Sequence, residues 1–228
     1  MVIAKCSRLP HQEINIFMRH HYKLFPALSL LLSAFISSQV FAQAVDASLL
    51  LQQRLTQLHT FQAEFSQKVT DANETVLQEA TGKIALQYPN KLYWQLYAPN
   101  ESELIADGQT LWQIDPFMEQ VVALNQDSAI DNNPLILLTN PKGAAWDDFK
   151  VTEKNNEFSI KPKQQQANVV ELILSFKESS LVAMKIIDGQ QQVSALTFNQ
   201  IKQNQNIAET LFIFTNSQAF ELDDQRTP

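Results

Sequence analysis

Apolar and polar side chains alternate along much of the chain, beginning at residue 61. Phe61, Ala63 and Phe65 are apolar and the residues between them are polar, so this stretch predicts a strand with one buried face. The same period of two recurs along the chain and predicts a protein built mainly from strands. The further strand candidates are residues 84–88, 92–96, 103–106, 110–114, 120–124, 157–160, 169–176, 181–187, 193–198 and 211–214.

Tight turns separate several of these strands. Asp107-Gly108 and Asp188-Gly189 each lie between two apolar strands, and Asp-Gly is a typical hairpin-turn dipeptide. Many short strands joined in this way indicate an antiparallel meander, folded either as a sandwich or as a barrel.

A helix is predicted immediately before the first strand. Asp46 has the side chain of a helix N-cap. Leu51, Leu55 and Leu58 follow at i, i+4 and i+7 spacing, which places the three leucines on one helical face. We expect this helix to end near His59.

Two shorter helical segments are predicted in the middle of the chain, where the alternation stops. Pro134 suits the first position of a short helix and precedes the apolar residues 135–138. Residues 143–146 predict one more helical turn. We expect both segments to lie over the sheet rather than inside it.

The N-terminal region has the layout of a cleaved secretory signal. An apolar run over residues 24–40 follows a basic stretch that contains Arg19 and Lys23, and it precedes the small residue Ala42. A membrane-spanning helix is the alternative, but the run is short for a span and no basic flank follows it.

We therefore predict that residues 1–42 are a signal peptide and that residues 43–228 are the mature domain. Cleavage after Ala44 is the second possibility. Met18 is an alternative start, because the residues before it are too long and mixed for the beginning of a signal.

Removal of the predicted signal makes the chain more acidic. The whole chain has 17 basic and 24 acidic residues and a net charge of −7. Residues 43–228 keep 13 basic and 23 acidic residues, a net charge of −10. Such a surface repels phosphate backbones and anionic bilayers, so nucleic-acid binding is disfavoured.

Cys6 is the single cysteine of the chain and lies within the predicted signal. The mature domain is therefore expected to contain no disulfide and no thiolate metal ligand or nucleophile. It also lacks a cysteine at the cleavage junction that could be lipidated. We expect a soluble product.

Residues that could support catalysis are sparse. The glycines Gly82, Gly108, Gly143 and Gly189 are too far apart to form a phosphate-binding loop. His59 is the only histidine after residue 42, and we expect it to be solvated near the end of the first helix.

Two adjacent carboxylate pairs, Asp147-Asp148 and Asp223-Asp224, are the remaining candidates. Neighbouring residues on a strand point to opposite faces, so such a pair is a poor acid and base dyad. The sequence therefore predicts a binding protein rather than an enzyme, with no catalytic residue, metal ligand or cofactor site.

A set of motifs occurs in a fixed order over the predicted mature domain. The motifs are Phe61-x-Ala63-x-Phe65 followed by QKVTD at 67–71, Pro89-Asn90 with Trp94, PNES at 99–102, ADGQTLW at 106–112, DPFMEQ at 115–120 and LDDQR at 222–226. In this order they resemble the family of periplasmic outer-membrane lipoprotein carrier proteins, LolA, over essentially the whole predicted mature domain.

The resemblance implies a mainly β fold with short helices (α+β), an incomplete antiparallel β-barrel covered by an α-helical lid. It further implies a periplasmic chaperone that binds the acyl chains of lipoproteins released from the inner membrane. The implied partners are outer-membrane-directed lipoproteins, an ATP-driven inner-membrane lipoprotein-releasing complex and an outer-membrane receptor lipoprotein. We expect a monomer without a cofactor.

The apolar strand and lid residues are the candidates for the ligand cavity. Ordinary core packing is the alternative for each of them, because large apolar residues serve that role most often. The candidates are Leu92, Trp94, Leu96, Trp112, Ile114, Leu135, Leu137 and Leu138.

Tyr88 marks a departure from the family pattern. The resemblance implies an arginine immediately before the Pro-Asn pair, where it hydrogen-bonds the lid. Tyrosine offers a single hydroxyl donor instead of five N–H donors, and Lys91 would point to the other face of a continuous strand. We therefore expect a lid latch at Tyr88 that depends more on apolar contact.

Other functions remain open from the residues alone. One is a different periplasmic lipid- or lipoprotein-binding module, such as a sensor of mislocalised lipoproteins or an acyl-ligand binder. Another is a periplasmic hydrolase that uses His59 or one of the carboxylate pairs. Co-purified lipoprotein distinguishes a carrier from a binder of free lipid.

Overall fold

The computed structural model describes residues 46–129, 134–164, 169–216 and 219–226. The predicted signal peptide, both cleavage positions and the alternative start at Met18 lie outside the described residues.

One sheet dominates the described part of the chain. It has twelve strands, and their order across the sheet is β12-β6-β5-β4-β3-β2-β1-β11-β10-β9-β8-β7. The strands are β1 (Thr60–Thr70), β2 (Val76–Gln87), β3 (Lys91–Leu96), β4 (Ser102–Ala106), β5 (Thr110–Asp115), β6 (Gln120–Asn125), β7 (Phe149–Lys154), β8 (Glu157–Pro162), β9 (Val169–Lys177), β10 (Ser180–Asp188), β11 (Val193–Gln203) and β12 (Glu221–Asp224).

The sheet is open, because β7 and β12 form its two edges and do not pair with each other in the described part of the chain. Neighbouring strands are antiparallel, except that β12 runs parallel to β6. This mainly β architecture, an open sheet with short helices packed against it, confirms the expected fold class.

The helices are short. Helix α1 (Ala47–Gln57) begins as predicted, since the Ser48 N–H donates a hydrogen bond of 2.9 Å to the Asp46 side chain. Four 3₁₀ helices follow in the described residues, at Asp127–Ala129, Pro134–Thr139, Ala144–Asp148 and Glu209–Phe212. The second and third confirm the two helical segments predicted in the middle of the chain.

The sheet buries apolar side chains on both of its faces. One face, the lid face, carries Leu92 and Trp94 and packs against α1 and the 3₁₀ helix Pro134–Thr139. The opposite face, the back face, carries Tyr93 and Ile105 and packs against residues near the C-terminus. Strand alternation therefore separates two cores within β2–β6.

Close packing on the lid face requires a glycine in β2. A Cβ atom at Gly82 would lie 2.1 Å from the backbone oxygen of Gln95 and 2.6 Å from the ring of Phe65. A side chain at this position would clash with both atoms. Glycine has only a hydrogen atom in place of Cβ, so β3 and the Phe65 ring can approach β2 closely.

Three features of the sheet differ from the sequence prediction. Residues 211–214 were expected to form a strand, but Glu209–Phe212 is a 3₁₀ helix that buries Phe212 against the back face. The edge strands β7 and β12 were missed. Their sequences, FKVTEK and ELDD, are polar because an edge strand buries few of its side chains.

Candidate functional site

The helix Pro134–Thr139, here named the lid segment, places four consecutive apolar side chains against the lid face. The exposed fractions of Leu135, Ile136, Leu137 and Leu138 lie between 2% and 5%. These four side chains are almost completely removed from water. Their apolar burial is therefore the main interaction that holds the lid segment on the sheet.

The lid face supplies the opposite wall of this contact. Leu92 is fully buried, Trp94 is 7% exposed and Leu96 is half-buried at the margin of the same cluster. The Trp94 ring lies 4.4 Å from the ring of Phe65, measured between centroids. Strand alternation puts the three β3 residues on one face, as the sequence predicts.

Six of the eight candidate cavity residues therefore meet in one apolar cluster: Leu92, Trp94, Leu96, Leu135, Leu137 and Leu138. These residues are buried against one another or lie at the margin of the cluster in this structure.

Trp112 and Ile114 do not join that cluster. Trp112 pairs with Ile105, and Ile114 pairs with Glu103, so both side chains lie on the back face. The sequence analysis grouped Trp112 and Ile114 with Leu92 and Trp94 as cavity candidates, and this grouping is corrected because the two pairs lie on opposite faces. Leu111, which is fully buried in the lid-face cluster, occupies the position that the sequence analysis gave to Trp112.

Trp112 instead anchors the C-terminal residues. Its ring stacks on the Phe214 ring at 4.6 Å, and the Arg226 guanidinium lies 5.0 Å from the ring centre. Its indole N–H donates a hydrogen bond of 2.9 Å to Asp107. Partial burial opposes ionisation of Asp107, but hydrogen bonds from Thr110, Trp112 and Gln109 lower its pKa below the ordinary value.

Tyr88 lies in the turn after β2 and is half-buried. Its backbone N–H donates to the His59 carbonyl at 3.0 Å, and its hydroxyl makes no hydrogen bond to any described residue. The lid segment is bonded two residues further on, where the Asn90 N–H donates to the Thr139 carbonyl at 2.9 Å.

An apolar cavity of about 320 Å³ lies beside the lid segment. Residues of the lid segment and of the following 3₁₀ helix both line it. The Trp146 indole N–H of that helix donates to the Asn140 carbonyl at 2.9 Å. The lining residues of the cavity are Asn90, Gln126, Asp127, Ile136, Leu137, Asn140, Gly143, Ala144 and Ala145.

The back face carries a different kind of opening, a groove of about 460 Å³. Two carboxylates, Glu101 and Glu103, and the Gln95 amide line it. Burial raises the pKa of Glu103, although Lys83 and the Gln95 hydrogen bond act in the opposite direction. Apolar side chains such as Ile105, Ile114 and Phe214 line the groove as well. The two carboxylates among them disfavour a hydrocarbon chain at this place.

The candidate catalytic groups are not assembled into a site. His59, Asp147 and Asp148 are exposed, and Asp224 forms an ion pair with Arg226. Among the residues that the structure describes, no group of three or more His, Cys, Asp or Glu side chains could hold a metal ion. Within the same residues, no helix has the length and apolar character needed to cross a membrane.

The sequence analysis did not predict that two polar residues, Asn90 and Gln126, lie at the lid segment. Asn90 belongs to the Pro-Asn pair that carries the family resemblance, which was the available signal. Gln126 directly follows β6, where a polar residue is expected in any loop, so its sequence gives no signal.

Comparisons with known proteins agree with these features. Residues 56–215 match the family model described as outer membrane lipoprotein carrier protein LolA. The outer-membrane lipoprotein carrier protein of Shewanella woodyi is 36% identical over 204 residues, which cover 90% of this chain and 97% of that protein. The protein of the same name from Shewanella loihica is 36% identical over 181 residues, covering 79% and 87% of the two chains.

Among solved structures, a LolA superfamily protein from Nitrosomonas europaea is similar with a TM-score of 0.48 and 12% sequence identity. The match covers 75% of this chain and 99% of that chain.

Proposed function

This chain belongs to the LolA family of outer membrane lipoprotein carrier proteins, and from that premise we propose that it carries lipoproteins through the periplasm with their acyl chains between the lid segment and the lid face. The observation that supports this location is the continuous apolar contact between residues 135–138 and the β3 side chains Leu92 and Trp94. The back-face groove also has apolar lining residues, but the carboxylates Glu101 and Glu103 among them disfavour a hydrocarbon chain there.

Hydrophobic burial supplies the affinity. Each methylene removed from water contributes about 0.8 kcal/mol, so a chain of about fifteen methylenes represents roughly 12 kcal/mol of apolar burial. The apolar side chains of the lid segment and lid face separate as the ligand enters, and ordering the ligand has its own cost. These opposing terms lower the net affinity and allow the carrier to release its cargo.

We infer that this conformation is a closed state, because residues 135–138 are buried against the lid-face cluster. Loading therefore requires the lid segment to leave residues such as Leu92 and Trp94, and the ligand then replaces the lost contacts. The 320 Å³ cavity beside the lid segment provides space for the first part of that movement.

Partners and processing complete the proposal. Residues 1–42 direct secretion and are removed, which leaves the carrier domain 43–228 in the periplasm. An ATP-driven inner-membrane complex loads the carrier and an outer-membrane receptor lipoprotein unloads it. The carrier itself performs no catalytic step, so the energy of loading comes from the donor.

Release of lipoprotein from membranes tests this function. Inner-membrane vesicles that contain the loading complex and a labelled lipoprotein are incubated with the purified protein, and the label in the soluble fraction is measured. We expect the native protein to release the label. We expect Leu138→Glu to release at least tenfold less, because a carboxylate in this cluster disfavours hydrocarbon.

Leu77→Glu is the matched control, since Leu77 is 52% exposed and lies away from the lid-face cluster. If Leu138→Glu does not fold, Leu96→Glu replaces it, because Leu96 is only half-buried at the margin of the cluster and its substitution disturbs the packing less. Normal release by the folded lid-face variants would contradict the assigned location.

A further inference from the structure

Gln126 is a buried side chain that connects three parts of the fold. It lies between β6 and the 3₁₀ helix Asp127–Ala129 and is only 2% exposed. Its amide N–H₂ donates to the Asn90 carbonyl at 2.9 Å, and its amide oxygen accepts from the Gly108 N–H at 3.0 Å. The end of β6 is thereby bonded to the β2–β3 turn and the β4–β5 turn.

The backbone of Gln126 is held as firmly as its side chain. Its N–H donates to the Gln109 carbonyl at 2.9 Å, and its carbonyl accepts from the Ala129 N–H at 3.2 Å. The amide is therefore presented from a fixed position. A buried amide with both its donor and its acceptor used carries little of the penalty of an unpaired polar group.

Asn90 connects Gln126 to the lid segment. The carbonyl of Asn90 accepts the hydrogen bond from Gln126, and its N–H donates to Thr139 at the end of the lid segment. Asn90 has a left-handed backbone with φ of 65°, a region in which asparagine is enriched. The bond from Gln126 restrains the Asn90 carbonyl in that turn.

The side-chain amide of Gln126 is bonded to turns of the sheet and not to the lid segment. Gln126 and Asn90 both line the 320 Å³ cavity next to Ile136 and Leu137. We expect the side-chain bonds of Gln126 to persist when the lid segment moves away, because they involve no atom of it. The Asn90 N–H then stays directed at the position to which Thr139 returns.

We propose that Gln126 is a positioning residue for lid closure, which holds Asn90 so that its N–H meets the Thr139 carbonyl. The inference rests on the proposed carrier function, in which the lid segment closes over the lid face. It adds one defined hydrogen bond, from the Asn90 N–H to the Thr139 carbonyl, to the apolar contacts of the closed state. The neutral amide of Gln126 supports this bond, while the Tyr88 hydroxyl takes no part in it.

Hydrogen exchange of individual backbone amides tests the proposal without any cargo. The Asn90 N–H exchanges when the Thr139 carbonyl leaves, so its rate reports lid opening. The Tyr97 N–H, bonded to the Thr81 carbonyl at 2.9 Å, reports the sheet away from the lid. We expect Gln126→Met to raise exchange at Asn90 about tenfold and to leave exchange at Tyr97 unchanged.

Gln95→Met is the matched control, because it removes one amide hydrogen bond, to Glu103 at 2.8 Å, on the back face. We expect it to leave Asn90 exchange unchanged. If Gln126→Met does not fold, Gln126→Asn replaces it, since the shorter side chain keeps the amide but withdraws it from both partners.

Unchanged Asn90 exchange in the Gln126 variants would overturn the proposal. Equal acceleration at Asn90 and Tyr97 would also overturn it, because it would show general destabilisation. A lid that responds as expected in a protein that releases no lipoprotein from vesicles would instead contradict the carrier function alone.

Discussion

The guanidinium of Arg226 lies 5.0 Å from the centre of the Trp112 ring, so the C-terminal residues are anchored on the back face of the sheet. Arg226 also donates to the Thr110 hydroxyl at 3.3 Å and to the Asp224 carboxylate. Strand β12 is thus connected to β5 through side chains and to β6 through its backbone.

Removal of the Arg226 side chain is expected to loosen β12 selectively. In Arg226→Ala, exchange of the Gln225 N–H, which donates to the Ala123 carbonyl at 2.8 Å, should accelerate about three- to fivefold, the range expected for an exposed cation–π contact. Lys177→Ala, an exposed lysine of β9, is the control. An unchanged rate at Gln225 would show that backbone pairing alone holds β12.

The ion pair between Arg226 and Asp224 predicts that the stability of β12 depends on pH. Hydrogen bonds from Arg226 lower the pKa of Asp224 to about 2. Since the folded-state pKa is depressed, this stabilisation is present above the unfolded pKa near 3.8 and is lost as the pH falls towards 2. We expect protection of the Gln225 N–H to be constant above pH 5 and to decrease below about pH 4.

The ring contact between Trp94 and Phe65 is expected to be a major contribution to stability. Trp94→Ala leaves a large cavity in the lid-face cluster and should lower the free energy of unfolding by about 3–5 kcal/mol. Leu77→Ala, at an exposed site, should change it by less than about 0.5 kcal/mol. Denaturant unfolding measures both values, and equal effects would contradict the described packing.

Two variants of Tyr88 distinguish apolar contact from hydrogen bonding as the way in which this residue holds the lid segment. Because its hydroxyl has no partner among the described residues, Tyr88→Phe should leave Asn90 N–H exchange unchanged. Tyr88→Ala removes the ring beside the turn that carries Asn90 and should accelerate that exchange. If both variants exchange like the native protein, Tyr88 has no latch role.

Alternation predicted the lid-face residues of β3 correctly, because the polar residues Lys91 and Gln95 alternate with Leu92, Trp94 and Leu96. It misplaced Trp112 and Ile114 for a physical reason. Both faces of β5 are covered, so Leu111 and Trp112 are adjacent apolar residues, and the phase of the strand depends on its register with β4.

The polar contacts of the lid could not be predicted in the same way. The bond between Asn90 and Thr139 joins residues that are distant in sequence, and Gln126 acts through partners on two turns of the sheet and on the 3₁₀ helix Asp127–Ala129. Such contacts depend on the completed sheet. Residues 211–214 show the related limit for local structure, since their apolar character suits a buried 3₁₀ turn as well as a strand.

The location of the acyl chains is the central claim, and site-specific photo-cross-linking tests it most directly. A photoreactive phenylalanine analogue is placed at Leu92 on the lid face or at Trp112 on the back face, and each protein is loaded with lipoprotein that carries radiolabelled acyl chains. We predict cross-linked label at position 92 and background label at position 112. Label at position 112 with none at position 92 would contradict the assignment of the cargo to the lid face.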